Sequence, residues 1–386
     1  MSSPSPLIAV VGDGIAGCTS ILALKHQGFR PIWIRPERPR PASTWPESID
    51  SAAIDLLSEL VDATRLLSIC SYSVESHNSC WGSDRLITRL NTRLNQSEKG
   101  AHLINKDYLI KHLAQEACQW SSIIRGQIKT ISPAEGSWIL SLANGNDLKC
   151  DALIIASGTS PSIQHQCSQI ITTDTLLGHH WTLNQPVVAE YRTEATSFVE
   201  ACATGWWYGV SFNDGSLSLL FMTEPGQRTL MQTSVDFLAQ HLKRTVHLKQ
   251  WIRCQNMRLL SSPYCFKKVC RNLRTFAGQA EPFNGPCWLA VGDAAISHDP
   301  LSSFGLTGAI WSAVQAAKRL GQSFDGQGSE AIHSYNREMA SFCNYIQKQR
   351  CSVYEREVRF ASEPFWIKRR CPRTSVLQIC EEDWVF

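Results

Sequence analysis

"LIAVVGDGIAGCTSILALKHQGFRPIWIR", Leu7 to Arg35, reads as a strand, a glycine turn, a helix and a second strand. Leu7 to Val11 is an apolar run of strand length. Gly12, Gly14 and Gly17 form GxGxxG. Gly12 permits a tight turn, Gly14 lets the backbone approach a pyrophosphate, and Gly17 lets the helix pack against the strand. Ile21, Leu22 and Leu24 suit a helix facing a sheet, Gly28 ends it, and Pro31 to Ile34 returns as a strand. The free N–H groups at the helix start, around Ile15 and Ala16, together with the helix dipole, favour an anion. The stretch therefore predicts a dinucleotide site in an α/β fold. An acidic residue would ordinarily follow the second strand and hold a ribose. Here stands Arg35, suited to a phosphate or to stacking on adenine, so this unit alone leaves FAD and NADP both open.

A second stretch separates them: "GDAAISHDPLSSFGLTGAIWSA", Gly292 to Ala313. Trp288 to Val291 reads as a buried strand, and Gly292 and Asp293 end it. Ile310, Ala313, Val314, Ala317 and Leu320 recur at helical spacing, so a helix starts after the Asp299–Pro300 turn. A GD pair far downstream of GxGxxG resembles the glutathione-reductase-type FAD fold. That resemblance implies Asp293 on the ribityl chain of FAD, with Pro300, Gly305 and Leu306 at a helix start beside the flavin.

The spacing GDxxxxxDPxxxxG resembles the flavin monooxygenases and flavin-dependent halogenases. "WPESIDSAAIDLLSELV" (45–61) looks like their GES segment, "NKDYLIKHL" (105–113) like a helix with Lys106 at an FAD-contacting position, and "DALIIASGTS" (151–160) like a strand and turn. The halogenases' WxWxIP motif and lysine are missing. So is the Asp of the DG motif, replaced by Ser157, which implies weak use of reduced nicotinamide.

"GWWYGVSF" (205–212), "WLAVGDAAISHDPLSSFGL" (288–306) and "YIQKQRCSVYEREVRFASEPFWIKRR" (345–370) resemble the LodB-like flavoproteins, including GoxB. The resemblance implies an FAD-dependent monooxygenase that hydroxylates a peptidyl tryptophan in a quinoprotein amino-acid oxidase precursor during cysteine tryptophylquinone biogenesis. Its partners are that precursor, molecular oxygen, and a reductase or reduced nicotinamide. The alternatives are a small-molecule aromatic hydroxylase or halogenase, and a non-catalytic flavoprotein chaperone.

His298 is a candidate base, because hydroxylating an indole releases a ring proton. Asp299 and Glu47 are further catalytic candidates. Trp206, Trp207 and Tyr208 are placed at the substrate pocket, with alternation turning Trp207 to the opposite face from its neighbours. Asn213-Asp214-Gly215 predicts a hairpin turn. The aromatic and basic tail, Tyr345 to Arg370, is expected to dock the protein substrate.

The fold expected is α/β: a discontinuous FAD-binding Rossmann domain at 1–175 and 275–330, a smaller, mainly antiparallel substrate domain at 176–274, and a helical C-terminal segment at 331–386. Net charge is +3 in 386 residues, too balanced for a nucleic-acid or membrane surface. Fifteen cysteines without a CxxC pair predict reduced, buried thiols and no metal site. With no apolar run of about 18 residues and no signal-peptide pattern, a cytoplasmic location is expected.

Overall fold

Three runs, Ile8–Val11, Ala152–Ile155 and Cys287–Ala290, carry no polar side chain except the Trp288 indole, and all three are wholly buried. Such runs suit a parallel sheet covered on both faces. The computed structural model describes residues 5–37, 46–72, 74–90, 102–184, 195–212, 214–226, 234–252, 258–279 and 286–370. In it these strands pair in parallel, flanked by Ile32–Arg35 and Ser122–Arg125, also parallel, and by Ala277–Gln279, antiparallel at the edge. The first helix, Ile15–His26, is buried from Ile15 to Leu24. It has no polar face because helices Lys106–Gln119 and Gly305–Gln322 pack against it.

The chain runs outward from Ile8–Val11 on one side and continues with Ala152–Ile155 on the other. The order reverses between these two strands. In open α/β sheets a crevice forms outside the strand ends at such a switch point.

A second, nine-stranded sheet is antiparallel apart from the pair Val74–Cys80 and Ala195–Cys202. Its centre is the long strand Ile170–Asn184, paired on one side with Tyr264–Leu273 and on the other with Ser216–Thr223. Gly205–Ser211 and Ser216–Thr223 form the expected hairpin, with Ser216 N–H donating to Asp214 Oδ1 at 2.8 Å. Asn213 lies outside the described residues, as do Trp45 and 371–386.

One face of this sheet packs Trp181, Trp207 and Phe221 against Phe237 and Leu238 of helix Val235–Leu242. The other face packs Trp206, Leu220 and Met222 against Tyr354, Phe365 and Trp366 of the C-terminal helices Gly328–Arg356 and Pro364–Arg369.

Three expectations change. Val74–Cys80 and Ile87–Leu90, inside the stretch assigned to the first domain, join the second sheet, because Val74–Cys80 finds its partner in Ala195–Cys202. Part of the tail turns inward: Tyr354 and Trp366 are fully buried and Arg369 is ion-paired with Asp174 and Glu224, whereas Tyr345 and Ile367 stay exposed. Arg370 donates to the carbonyls of Glu357 and Glu355. Arg369 and Arg370, two of the charges expected to dock a partner, thus serve internal partners. Among the described residues eleven cysteines are in no disulfide, whereas Cys351 is disulfide-bonded. Among the described residues no helix is long and apolar enough to cross a membrane.

His180 lies in the long strand, buried, with Nε2 at 2.9 Å from Ser218 Oγ. Burial pushes its pKa down to about 4. The unfolded chain therefore takes up this proton at its ordinary pKa of about 6.5, before the folded one does. The native state loses stability as pH falls from about 6.5 to 4, by about 3 kcal/mol for this group. Thermal unfolding followed between pH 7 and 4.5 should show Tm falling more slowly in His180→Gln than in wild type. Parallel curves would show that His180 does not titrate in this way.

Candidate active site

The tight turn after the first strand depends on two missing side chains. Gly12 has φ +119°, and a Cβ there would run into the Ala156 carbonyl. A Cβ on Gly17 would run into the Gly12 carbonyl. Trp33 braces the turn from the second strand, donating from Nε1 to Gly12 O at 2.8 Å. The ends of two neighbouring parallel strands are thus drawn together, and Gly14 is left at the mouth of the crevice.

Here opens a cavity of about 910 Å³, near the upper end for small-molecule and cofactor sites. Two helix N-termini border it. Gly14 precedes helix Ile15–His26 and Phe304 precedes helix Gly305–Gln322, and neither start is capped by a side chain. By contrast Asp50, Asp62, Asn105 and Ser234 cap their helices. Uncapped N–H groups and two positive dipole ends facing one crevice favour anionic or electron-rich groups. Gly292, at φ +58°, brings this region close to the first helix, since a Cβ on it would lie 2.8 Å from Ala16 Cβ.

Of the residues expected to hold a cofactor, Gly14, Ile15, Ala16, Lys106, Asp293, Pro300, Gly305 and Leu306 all line the cavity. Gly12, Gly17 and Gly292 shape it from behind. Arg35 stays outside the cavity wall. Its guanidinium lies over the Trp33 ring at 4.4 Å and 3.8 Å from Asp13, so Asp13 and Trp33 hold it at the sheet end.

Asp293 lies 3.3 Å from Lys268 Nζ, which also reaches Ser297 Oγ at 3.0 Å. Burial raises the Asp293 pKa, but the attraction of Lys268, His298 and Lys106 and the Lys268 hydrogen bond together outweigh it and hold the carboxyl below its ordinary value. Asp293 is thus an ionised acceptor at the cavity wall, suited to sugar or ribityl hydroxyls. These features together fit the dinucleotide predicted from the glycine spacing.

The three catalytic candidates part company. His298 lines the cavity with 7% of its surface exposed; neither ring nitrogen makes a hydrogen bond of ordinary geometry, and the Ile296 backbone lies near enough to favour the protonated ring slightly. Burial lowers its pKa despite the attraction of Asp293, so the ring is neutral and able to accept a proton. Glu47 also lines the cavity but is ion-paired with Lys106 at 2.7 Å, which makes it a counter-ion. Asp299 is fully buried and does not line the cavity. It accepts from Leu301 N–H at 3.0 Å and from Tyr354 OH at 2.7 Å, so it holds the turn.

Trp206 and Tyr208 reach the cavity, and Trp207 points to the opposite face, stacked on Phe221 with ring centroids 4.4 Å apart. Burial and the nearby Glu47 push the Tyr208 phenol well up, so it keeps its proton. Ser303 is the one non-glycine described residue with left-handed backbone, φ 56°, and it too lines the cavity. Such strain collects at sites the surrounding structure holds firmly.

Sequence reasoning missed the strand Tyr264–Leu273. It lends Lys267, Lys268 and Arg271 to the cavity. The available signal was "KKVCR" (267–271), three cations in a short strand. Lys267 is exposed, so the cavity opens to solvent beside it.

Gly17 and Gly28 give a contrast that tests the cradle. Gly17→Ala drives a methyl into a backbone carbonyl and should cost about 2–3 kcal/mol. Gly28→Ala meets nothing within 4 Å and bears only the strain of φ +83°, about 1 kcal/mol. Denaturant unfolding of both should rank Gly17→Ala as clearly the weaker. Equal losses would mean that the close approach is not needed.

No protein-family model matches the chain. It is 23% identical over 257 residues to the FAD-dependent oxidoreductase LodB of Marinomonas mediterranea, covering 63% of this chain and 60% of that protein. The chain thus spans less than two thirds of that relative. Among solved structures, the peptidyl tryptophan dihydroxylase QhpG, essential for tryptophylquinone cofactor biogenesis, aligns over 96% of this chain and 80% of its own at 17% identity and a TM-score of 0.72. The flavin-dependent halogenase CmlS aligns over 99% and 70% at 17% identity and 0.80. CtdE, solved with FAD and a substrate, aligns over 92% and 91% at 14% identity and 0.73. The chain therefore has the mixed α/β fold of the flavin-dependent halogenases and QhpG, and the resemblance to LodB read from its motifs is matched by a measured similarity to LodB.

Proposed function

We propose that the chain is a FAD-dependent monooxygenase that hydroxylates a tryptophan of a partner protein, the precursor of a quinoprotein amino-acid oxidase, during cysteine tryptophylquinone biogenesis. One observation carries the reading. A single cavity joins a dinucleotide cradle to an aromatic wall, Trp206 and Tyr208, with the neutral His298, its ring nitrogens without an ordinary hydrogen bond, in the same lining. The similarity to LodB and the likeness to QhpG support it.

Gly14, the two helix N-termini, Asp293 and Lys106 would hold FAD. When bound, FAD supplies the activation of molecular oxygen. The chain supplies position and proton handling. Trp206 and Tyr208 offer flat apolar surface to an indole. When an oxygen adds to a ring carbon, restoring aromaticity releases that carbon's proton, and His298 takes it at a ring nitrogen. The mouth beside Lys267 leaves an approach for a substrate side chain carried on another protein.

A second reading, hydroxylation or halogenation of a small aromatic molecule, is favoured by the cavity-wall Lys268, a lysine the motifs alone did not reveal. Oxidation or halogenation of free tryptophan by the purified protein would support it.

Three outcomes are expected. Asp293→Ala should fold but purify without the visible absorbance of FAD, and full retention of that band would remove the assigned cradle. Intact-mass measurement of the oxidase precursor should show added oxygen only when this protein is co-expressed. His298→Gln should retain FAD and form product at least about 100-fold more slowly. A precursor that gains oxygen equally in both cells defeats the proposed substrate.

A further inference from the structure

We propose that the Tyr354 hydroxyl is a positioning group that joins two walls of the cavity and sets the space between them. Trp206 belongs to the wall built by the second sheet, and Pro300, Leu301 and Ser303 to the wall built by the turn before helix Gly305–Gln322. These walls are almost a hundred positions apart in sequence. Leu301 packs against the cluster that holds Trp206, and one hydroxyl adds a hydrogen-bonded link between the two walls.

Trp206 Nε1 lies 3.1 Å from Tyr354 OH, and Tyr354 OH lies 2.7 Å from Asp299 Oδ2. The direction of both bonds is settled by chemistry. An indole N–H can only donate, so the hydroxyl accepts from it and spends its single proton on the carboxylate. Burial and Asp299 push the Tyr354 phenol far up, so that proton stays in place. The other oxygen of Asp299 accepts from Leu301 N–H and shapes the turn. The turn ends at Ser303, whose left-handed backbone must be held from outside.

The assembly is anchored from behind. Arg350 reaches Asp299 at 3.4 Å and Asp174 at 2.5 Å, and Asp174 also takes Arg369 at 2.9 Å. Asp299 and Tyr354 are fully buried, and Asp174 and Arg369 nearly so, so these bonds form away from bulk water, where each is stronger and each loss costs more. Helix Gly328–Arg356 thus meets the turn behind the cavity through Tyr354 and Arg350, which share Asp299.

Packing alone does not account for the hydroxyl. The Tyr354 ring already meets Trp81, Trp366 and Phe365 at centroid distances of 6.5, 5.6 and 6.2 Å. Tyr354→Phe keeps those contacts. It removes only the link, leaving the Trp206 N–H and Asp299 each short of a partner.

The proposal rests on the function above only in using FAD as its probe. Wild type, Tyr354→Phe, Trp206→Phe and the double variant are titrated with FAD, and their unfolding temperatures are measured without it. Tyr354→Phe should weaken FAD binding about tenfold, the size of one lost bond to a charged group. It should also alter the visible circular dichroism of FAD at saturation. In the Trp206→Phe background the same substitution should cost less than half as much, because the link is already cut. Additive losses, or a Tyr354→Phe protein with unchanged affinity and dichroism, overturn the proposal. If Tyr354→Phe does not fold, Asp299→Asn replaces it in the same cycle. A wild type that binds no FAD defeats the proposed function, and the link then stands or falls on coupling in the unfolding temperatures.

Discussion

The approach of Gly12 to Ala156 is the constraint on which the site depends. Two parallel strands must end side by side, with the chain turning away sharply enough to leave a crevice. Any side chain at Gly12 or Gly17 would fill the space where backbone meets backbone. Trp33 then fixes the turn by donating to the Gly12 carbonyl. Everything that borders the cavity is placed relative to this junction: the first helix start, the Gly292–Asp293 strand end, and the helix beginning at Gly305.

The cavity combines two kinds of surface. On one side are helix N-termini without capping side chains, the ion pairs Lys106–Glu47 and Lys268–Asp293, and the turn ending at Ser303. On the other are Val199, Trp206, Tyr208 and Leu220 from the second sheet. A polar, dipole-rich floor under an apolar wall suits a charged cofactor with an aromatic substrate above it. His298 is the exception in this arrangement. It is buried and neutral, with no protein hydrogen bond of ordinary geometry, whereas buried polar groups ordinarily find partners. That mismatch marks it out among the candidates, because a site ready for a ligand leaves such a group waiting.

The C-terminal segment shows how a resemblance can leave the placing of individual side chains undecided. Arginines and aromatics together resemble interface anchors. Here Arg369, Trp366 and Tyr354 turn inward, because Asp174 and Glu224 offer buried or half-buried counter-charges, and the second sheet has an apolar face to cover. Composition does not say whether an arginine meets solvent or an aspartate almost two hundred positions away.

By itself the sequence determined the parallel sheet, the glycine cradle, the GD strand end, the hairpin and the alternation that separates Trp207 from Trp206 and Tyr208. Those are local properties. Glycine spacing sets a turn, apolar runs set strands, and period two sets which face a residue joins. Only the tertiary structure decided that Val74–Cys80 joins the second sheet, that Lys268 meets Asp293, that Glu47 is a counter-ion while His298 makes no ordinary hydrogen bond, and that Asp299 serves Tyr354 instead of the cavity. Each of these depends on contacts between segments far apart in the chain. Their partners are chosen by burial and charge compensation after the layers assemble, and no short stretch of residues contains that choice.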